Sequence, residues 1–288
     1  MKGLIVKGIA GFYYVKADSE VFQCKARGVF KKDGIIPMIG DIVTIEVLPD
    51  GNAVINAIDE RKNEFIRPPV SNVDGFVIVI AAAQPEPNLK IVDRFLAIAE
   101  KNKAEAVICV NKIDLAEEAK IKTIKEIYEG VYPVVFVSAL SGDGIDTLKS
   151  LMKNEKYAFA GPSGAGKSTL LNALQPSAKA ETGEISKKTS RGKHTTRHAE
   201  IFETEFGAMV YDTPGFTSFD VIDAEADELQ HLYPEIEKLY GKCKYRNCMH
   251  IKETGCAVRD AVKSGIIHKS RYGSYKDMYE EIIANREF

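Results

Sequence analysis

The run Gly161-Pro162-Ser163-Gly164-Ala165-Gly166-Lys167-Ser168 has the spacing G-x-x-x-x-G-K-[ST], which is the chemistry of a phosphate cradle. Glycines at those positions let successive backbone N–H groups converge on phosphate oxygens. A helix opening at the loop adds the favourable end of its dipole. Lys167 is expected to reach the β- and γ-phosphates and the Ser168 hydroxyl to ligate Mg²⁺, with Thr169 closing the nucleotide-contacting stretch. A second element, Asp212-Thr213-Pro214-Gly215, follows a buried strand expected over 208–211. That strand would leave the Asp212 carboxylate at the carboxyl edge of a sheet, where it can hold Mg²⁺ directly or through water. Gly215 is placed to donate its N–H to a γ-phosphate, a bond present with a nucleoside triphosphate and absent with the diphosphate.

Two further elements read the base. The Asp114 carboxylate of Asn111-Lys112-Ile113-Asp114 can accept from both N1–H and the exocyclic amine of guanine. Adenine lacks that donor pair and would leave the carboxylate unpaired, so guanine is expected and GTP/GDP is the implied nucleotide. Asn111 should brace neighbouring loops, the Lys112 stem should pack across the base, and Ser138-Ala139 should supply a backbone donor to guanine O6. The order is unusual, because the base readers precede the phosphate loop and Asp212–Gly215 comes last. With every chemical part present, the reading is a circularly permuted GTP-binding domain.

Many GTPases place a glutamine just after Asp-x-x-Gly to orient the attacking water. Here that position is Phe216, which cannot hydrogen-bond water. The segment from Gln175 to His198 is rich in Lys, Thr, Ser and Gly and contains His194-Thr195-Thr196. Thr195 or Thr196 is the candidate to close on Mg²⁺ and the γ-phosphate, and spacing does not choose between them. His194 is the candidate to orient water; the alternative is that it lines the loop or contacts an RNA phosphate. On the catalytic reading the free protein turns over slowly, and a partner that orders the loop accelerates it.

Cys243, Cys248, His250 and Cys256 form C-x₄-C-x-H-x₅-C, four zinc-type ligands within fourteen residues. Three thiolates and an imidazole suit one closed, structural Zn²⁺ site, with Tyr245, Arg246 and Asn247 on the knuckle. Cys24 and Cys109 fall in expected strands and read as core; His231 and His268 read as ordinary helix residues.

The elements that must carry these residues follow from pattern. Residues 1–66 read as five short strands, 4–10, 11–16, 21–26, 41–48 and 53–58, with a hairpin turn at 49–52. Five such strands predict a small closed barrel, an OB-fold first among them. Phe12, Tyr13, Tyr14 and Phe22 could stack bases, or two or three of them could be barrel core. Arg67-Pro68-Pro69 marks a linker. From 75 onward, buried strands at 77–82, 106–110, 134–137 and 157–160 alternate with helices at 89–102, 119–128 and 146–153, predicting a doubly wound α/β sheet over 67–220. In the first helix Ile91, Phe95, Ile98 and Ala99 share a side. Residues 221–288 read as a helical, zinc-binding domain. A shift at 212–216 could therefore be passed to that domain.

Composition sets the outer limits. The longest apolar stretch, 76–83, is too short to span a bilayer, and the first residues lack the pattern of a signal peptide. A cytoplasmic protein with five reduced cysteines is expected, and nothing demands more than a monomer. The net charge of −2 conceals an uneven distribution: between Lys238 and Lys276 ten Lys or Arg face two acids, a local +8. Such a segment points to a polyanionic partner, or else to a solvated helical face.

Permuted motif order, an amino-terminal barrel and a carboxy-terminal cysteine cluster together resemble the ribosome small subunit-dependent GTPase A family (RsgA/YjeQ type), over essentially the whole chain. The resemblance implies an OB-fold, a permuted GTPase domain and a zinc-bearing helical domain. It also implies Mg²⁺-dependent GTP hydrolysis stimulated by the small ribosomal subunit, contacts to its rRNA, and a role in late maturation of that subunit. The family too has an apolar residue at the position of Phe216, and its histidine corresponding to His194 is usually assigned the water. Two other readings remain: an RNA-binding module gated by nucleotide, and a permuted GTPase serving a non-ribosomal complex.

Overall fold

The computed structural model describes residues 1–28, 30, 34–49, 51–66, 68–175, 200–212, 216 and 223–286. Arg67, His194, Thr195, Thr196 and Gly215 lie outside the described residues. The barrel region holds β1 (Lys2–Ile9), β2 (Phe12–Ala17), β3 (Glu20–Ala26), β4 (Ile42–Val47) and β5 (Ala53–Ile58), then a short hairpin of β6 (Glu64–Phe65) and β7 (Val70–Ser71). Next come β8 (Gly75–Ala81), α1 (Leu89–Lys101), β9 (Glu105–Asn111), α2 (Glu118–Tyr128), β10 (Val134–Phe136) and α3 (Ile145–Met152). The chain continues with β11 (Lys156–Ala160), α4 (Lys167–Leu174), β12 (Glu200–Glu203) and β13 (Met209–Asp212). It ends with α5 (Pro234–Glu237), α6 (Ala257–Lys263) and α7 (Lys269–Arg286).

Two compact units form. One comprises Met1–Phe76, Lys149–Phe159 and Leu171–Thr217; the other comprises Val77–Leu148, Ala160–Leu170 and Ser218–Phe288. Residues 67–220 fall in both units, and the residues from 223 onward fall in the same unit as β9 and β10, where α7 lies against α1.

In the first unit the strand order β1-β2-β3-β5-β4 closes through β1 and β4, with Lys2 opposite Thr44 and Leu4 opposite Ile42. The single parallel neighbour pair of this barrel is β3 with β5. Val15 and Ala17, Val43 and Ile45, and Ala53 and Ile55 are buried at period 2, joined by Cys24; Leu4 and Ile5 are both buried beside the register shift in β1. Phe12, Tyr13, Tyr14 and Phe22 are all half-buried, and the register divides them: Tyr13 stands opposite buried Cys24 and Phe22 opposite buried Val15, so these two share the core-facing side of the sheet. Lys25 Nζ lies 4.9 Å above the Phe12 ring. Cys24 is buried in the barrel, and burial pushes its thiol up to about 11.

Outside the barrel, β12 pairs antiparallel with both β1 and β13, and β13 runs parallel to β11. Asp41, fully buried, accepts from Arg61 Nε and Nη2 at 2.8 and 2.9 Å, from Ser71 Oγ at 2.6 Å and from the Met38 N–H at 2.7 Å. That set satisfies the carboxylate and ties the barrel to β7.

In the second unit the order is β10-β9-β8, with β10 and β9 parallel. All seven residues of β8 are buried, as a strand covered on both faces demands. Asn88 caps α1 by accepting from the Ile91 N–H. Phe95, Ile98 and Ala99 of the expected stripe are buried in α1 together with Val92, Asp93, Leu96 and Ala97, whereas Ile91 is only half-buried. Among the described residues no helix is long and apolar enough to cross a membrane.

Candidate functional site

The phosphate loop leaves β11 at Gly161 and enters α4 at Lys167. Gly161 has φ +135°, and a Cβ there would fall 2.1 Å from the Val79 carbonyl oxygen of β8. No other residue fits so close an approach. Gly166 has φ +91°, and a Cβ there would meet Asn111 Nδ2 at 2.3 Å. The space a side chain would take is therefore occupied by Asn111, which is 2% exposed.

Asn111 sits at the end of β9 and faces two loops. Its Nδ2 donates to the Ala165 carbonyl at 3.0 Å, and its Oδ1 accepts from the Ala139 N–H at 3.0 Å. One amide therefore joins the phosphate loop to the Ser138-Ala139 element. Lys112 follows in the left-handed region at φ +64° and donates to the Gln84 carbonyl oxygen. Ile113–Leu115 then forms a 3-10 turn that leaves Asp114 exposed. Ser138 is fully buried; its N–H donates to the Asp143 carbonyl at 3.0 Å and its Oγ accepts from the Ser141 N–H at 3.3 Å. Ala139 is half-exposed. The two base-reading elements thus stand at the carboxyl ends of neighbouring strands, β9 and β10.

Lys167 Nζ donates to the Gly161 carbonyl at 2.6 Å and the Pro162 carbonyl at 3.0 Å, folded over its own loop. Burial holds its ammonium below the ordinary lysine value, so an incoming anion would restore charge balance. Ser163, Gly164, Ser168 and Thr169 are exposed, Ala165 is buried, and Pro162 is half-buried. The arrangement offers a phosphate the loop backbone, one cation and the hydroxyls of Ser163, Ser168 and Thr169.

Within the first unit, Asp212 ends β13 opposite Glu200 of β12. Burial, and then the Glu200 charge, raise its carboxyl above the ordinary value, and a cation would relieve both. Phe216 is buried edge-on against Phe65 and Phe76, with ring centroids 5.7 and 5.3 Å away. The residue read from sequence as unable to hold water is an apolar anchor.

The cysteine cluster assembles as a compact donor set. The ligand atoms of Cys243, Cys248, His250 and Cys256 all lie within 4.8 Å of one another. Burial pushes the Cys248 thiol up to about 12 and raises Cys256, so these sulfurs ionise only against a cation. Burial also lowers His250, which keeps the imidazole neutral and able to ligate. Three soft sulfurs and one nitrogen with no open position fit a structural zinc. Lys244, Tyr245, Arg246 and Asn247 are exposed between the first two ligands.

The basic segment needs one correction. Arg271, counted among its ten cations, is 1% exposed. It bonds Asp93 at 2.7 Å and Glu235 at 2.7 and 3.1 Å, and its guanidinium carbon lies 4.5 Å from the Tyr233 ring centroid. A charge spent on buried carboxylates is not offered to a polyanion. His231 lies on a 3-10 turn, bonded to Glu237 at 2.6 Å. His268 precedes α7 and accepts from the Ser270 N–H, a capping role rather than a place in the helix. Spacing gave no sign of the capping, of Gln84 beneath Lys112, or of Glu200 beside Asp212, because each rests on a contact made only by folding.

Residues 58–222 match the family model described as RsgA GTPase, and residues 2–55 match the one described as RsgA N-terminal domain. A curated relative from Caldanaerobacter subterraneus subsp. tengcongensis, named small ribosomal subunit biogenesis GTPase RsgA, is 42% identical over 98% of this chain and 96% of its own length. A relative of the same name from Clostridium perfringens (strain SM101 / Type A) is 46% identical over 99% of each chain. Among solved structures, YjeQ from Thermotoga maritima is similar with a TM-score of 0.85 and 36% identity, covering 98% of both chains. YloQ, described as a circularly permuted GTPase, has a TM-score of 0.84 and 37% identity, covering 99% of this chain and 95% of its own.

Proposed function

This chain belongs to the RsgA GTPase family, and we propose that it hydrolyses GTP to GDP and phosphate in late maturation of the small ribosomal subunit. The observation that carries this reading is the Asn111 amide, which joins the phosphate loop to a base-reading loop despite their reversed order in the chain. On this reading, backbone N–H groups of 161–166 cradle the phosphates and Lys167 leaves its two carbonyls for the β- and γ-oxygens. Asp114 accepts from guanine, Lys112 lies along the base, and the Ala139 region meets guanine O6. Gly215 reports the γ-phosphate, and His194 orients the water that Phe216 cannot hold.

Mg²⁺, when bound, neutralises charge developing on the phosphate oxygens. Ser168, Asp212 and either Thr195 or Thr196 are its proposed protein ligands. Cys243, Cys248, His250 and Cys256 are proposed to hold one structural zinc, in keeping with their close-set donor atoms. The half-exposed barrel aromatics and the exposed knuckle are proposed to meet rRNA, with the chain acting as a monomer in the cytoplasm.

The test is GTP turnover by the purified chain alone and with small subunits, large subunits or bulk RNA. Acceleration by small subunits alone is expected, and the His194→Ala chain should lose it. Equal rates under all four conditions would overturn the ribosome-dependent reading.

A further inference from the structure

Of the four cluster ligands, His250 is the one that must choose between two donor atoms. Its Nδ1 faces the sulfurs, 3.6 Å from Cys243 Sγ and 3.4 Å from Cys256 Sγ. Its Nε2 points away and lies 3.1 Å from Oε1 of Gln230. Gln230 is 7% exposed and sits on the 3-10 turn Leu229–Leu232, ahead of the cluster in the chain. Its own Nε2 donates to the Asp227 carbonyl at 2.9 Å.

That second bond fixes which way the amide faces. A carbonyl can only accept, so the nitrogen of Gln230 must point at Asp227 and its oxygen at His250. An oxygen that only accepts requires a proton on His250 Nε2. The lone pair then remains on Nδ1, the atom turned toward the thiols. The backbone around the ring is held separately. His250 stands at φ +64°, Tyr272 Oη donates to its carbonyl at 2.7 Å, and Tyr275 Oη donates to the Met249 carbonyl at 2.9 Å. The Glu253 carboxylate accepts from the N–H groups of Met249 and Ile251 at 2.8 Å and of Lys252 at 2.9 Å. These contacts place the backbone and leave ring rotation and tautomer to Gln230.

We propose that Gln230 is a positioning residue of the zinc site, one that holds His250 as the Nε2–H tautomer and aims Nδ1 at the metal. The proposal rests on the zinc reading of the Cys₃His cluster, and the measurements separate the two. Metal analysis of the purified full chain should find one zinc per chain; finding none overturns the zinc reading and the proposal with it. Long-range ¹H–¹⁵N correlation on the zinc-loaded chain should show His250 protonated at Nε2 and ligating through Nδ1. Ligation through Nε2 overturns the role of Gln230 while leaving the zinc site standing.

The Gln230→Leu chain keeps the bulk and loses the acceptor. It should give up zinc to a chromogenic chelator about 10- to 100-fold more readily than the parent chain. Gln230→Glu keeps an acceptor toward His250 and should retain most of the affinity, which a merely space-filling role would not predict. Unchanged zinc affinity in Gln230→Leu overturns the proposal. Should that chain not fold, the tautomer of the parent chain decides alone.

Discussion

Asn111 does more than its tetrapeptide requires. Its two amide ends satisfy the Ala165 carbonyl and the Ala139 N–H, and its bulk fills the space beside Gly166. Removing the amide strands the buried Ala165 carbonyl, at about 1–3 kcal/mol, and frees the half-exposed Ala139 N–H. Asn111→Ala is therefore expected to weaken guanine nucleotide binding roughly 10- to 100-fold. Titration of a fluorescent GDP analogue measures this, and an unchanged affinity would show that the loops hold themselves. Phe216 gives the opposite lesson. Because its ring packs edge-on against Phe65 and Phe76, a glutamine there would bury an amide among aromatic faces. Phe216→Gln is expected to cost at least about 2 kcal/mol in urea unfolding and to give no gain in turnover. Faster hydrolysis in that variant would mean that the position can reach the water after all.

At the scale of elements, the strand that feeds the phosphate loop is pinned at its first residue. Asp74 and Lys156 exchange backbone and side-chain bonds: Asp74 N–H to the Lys156 carbonyl at 2.9 Å, Lys156 N–H to Asp74 Oδ2 at 3.0 Å, and Lys156 Nζ to the same oxygen at 2.6 Å. Burial alone would raise the Asp74 carboxyl, but the Lys156 bonds, with Lys62 nearby, outweigh it and hold the group below the ordinary 3.8. A depressed carboxylate contributes stability above its unfolded value and loses it as pH falls through the folded one. Asp74→Asn should therefore be less stable than the parent at neutral pH, with the difference closing below 3.8. Denaturant unfolding across that range tests the sign; a difference that widens toward acid would refute it. The ion pairs that join β12 to β1 and β2 behave differently. Lys7 with Glu200 and Lys16 with Glu203 are more than a third exposed on at least one partner each, so each pair is worth under about 1 kcal/mol. The ladder between β1, β12 and β13, rather than these charges, is what carries the barrel's edge to Asp212.

At the scale of the whole chain, one buried cation ties α7 to both α1 and α5. Arg271 of α7 reaches Asp93 of α1 and Glu235 of α5, with Tyr128 and Tyr132 also ringed around it. Loss of the cation would leave the fully buried Asp93 carboxylate with only hydroxyl donors such as Tyr128 Oη, and the half-buried Glu235 without its ion pair. Arg271→Met is expected to destabilise the chain by about 3–5 kcal/mol, read by urea unfolding. A change under about 1 kcal/mol would mean that the carboxylates find other partners or take up protons. The same burial subtracts a charge from the basic segment, leaving Lys242, Lys244 and Arg246 as its exposed cations at the knuckle.

What could be read from the chain before folding was whatever local order encodes. Gly161–Ser168, Asn111–Asp114 and the Cys₃His run are contiguous because backbone donors and metal ligands must converge over a few residues. The five barrel strands were legible for a similar reason, since alternation along a strand reports one buried face. Folding alone settled which distant groups meet. Asn111 beside Gly166, Gln230 behind His250, Arg271 between Asp93 and Glu235, and Phe216 within an aromatic trio are contacts across long separations. No spacing rule reports them, because a side chain's partner is set by the packing of elements and not by its neighbours in sequence. The barrel aromatics make the same point: their type announces apolar surface, but the pairing register decides that Tyr13 and Phe22 share a face with buried Cys24 and Val15.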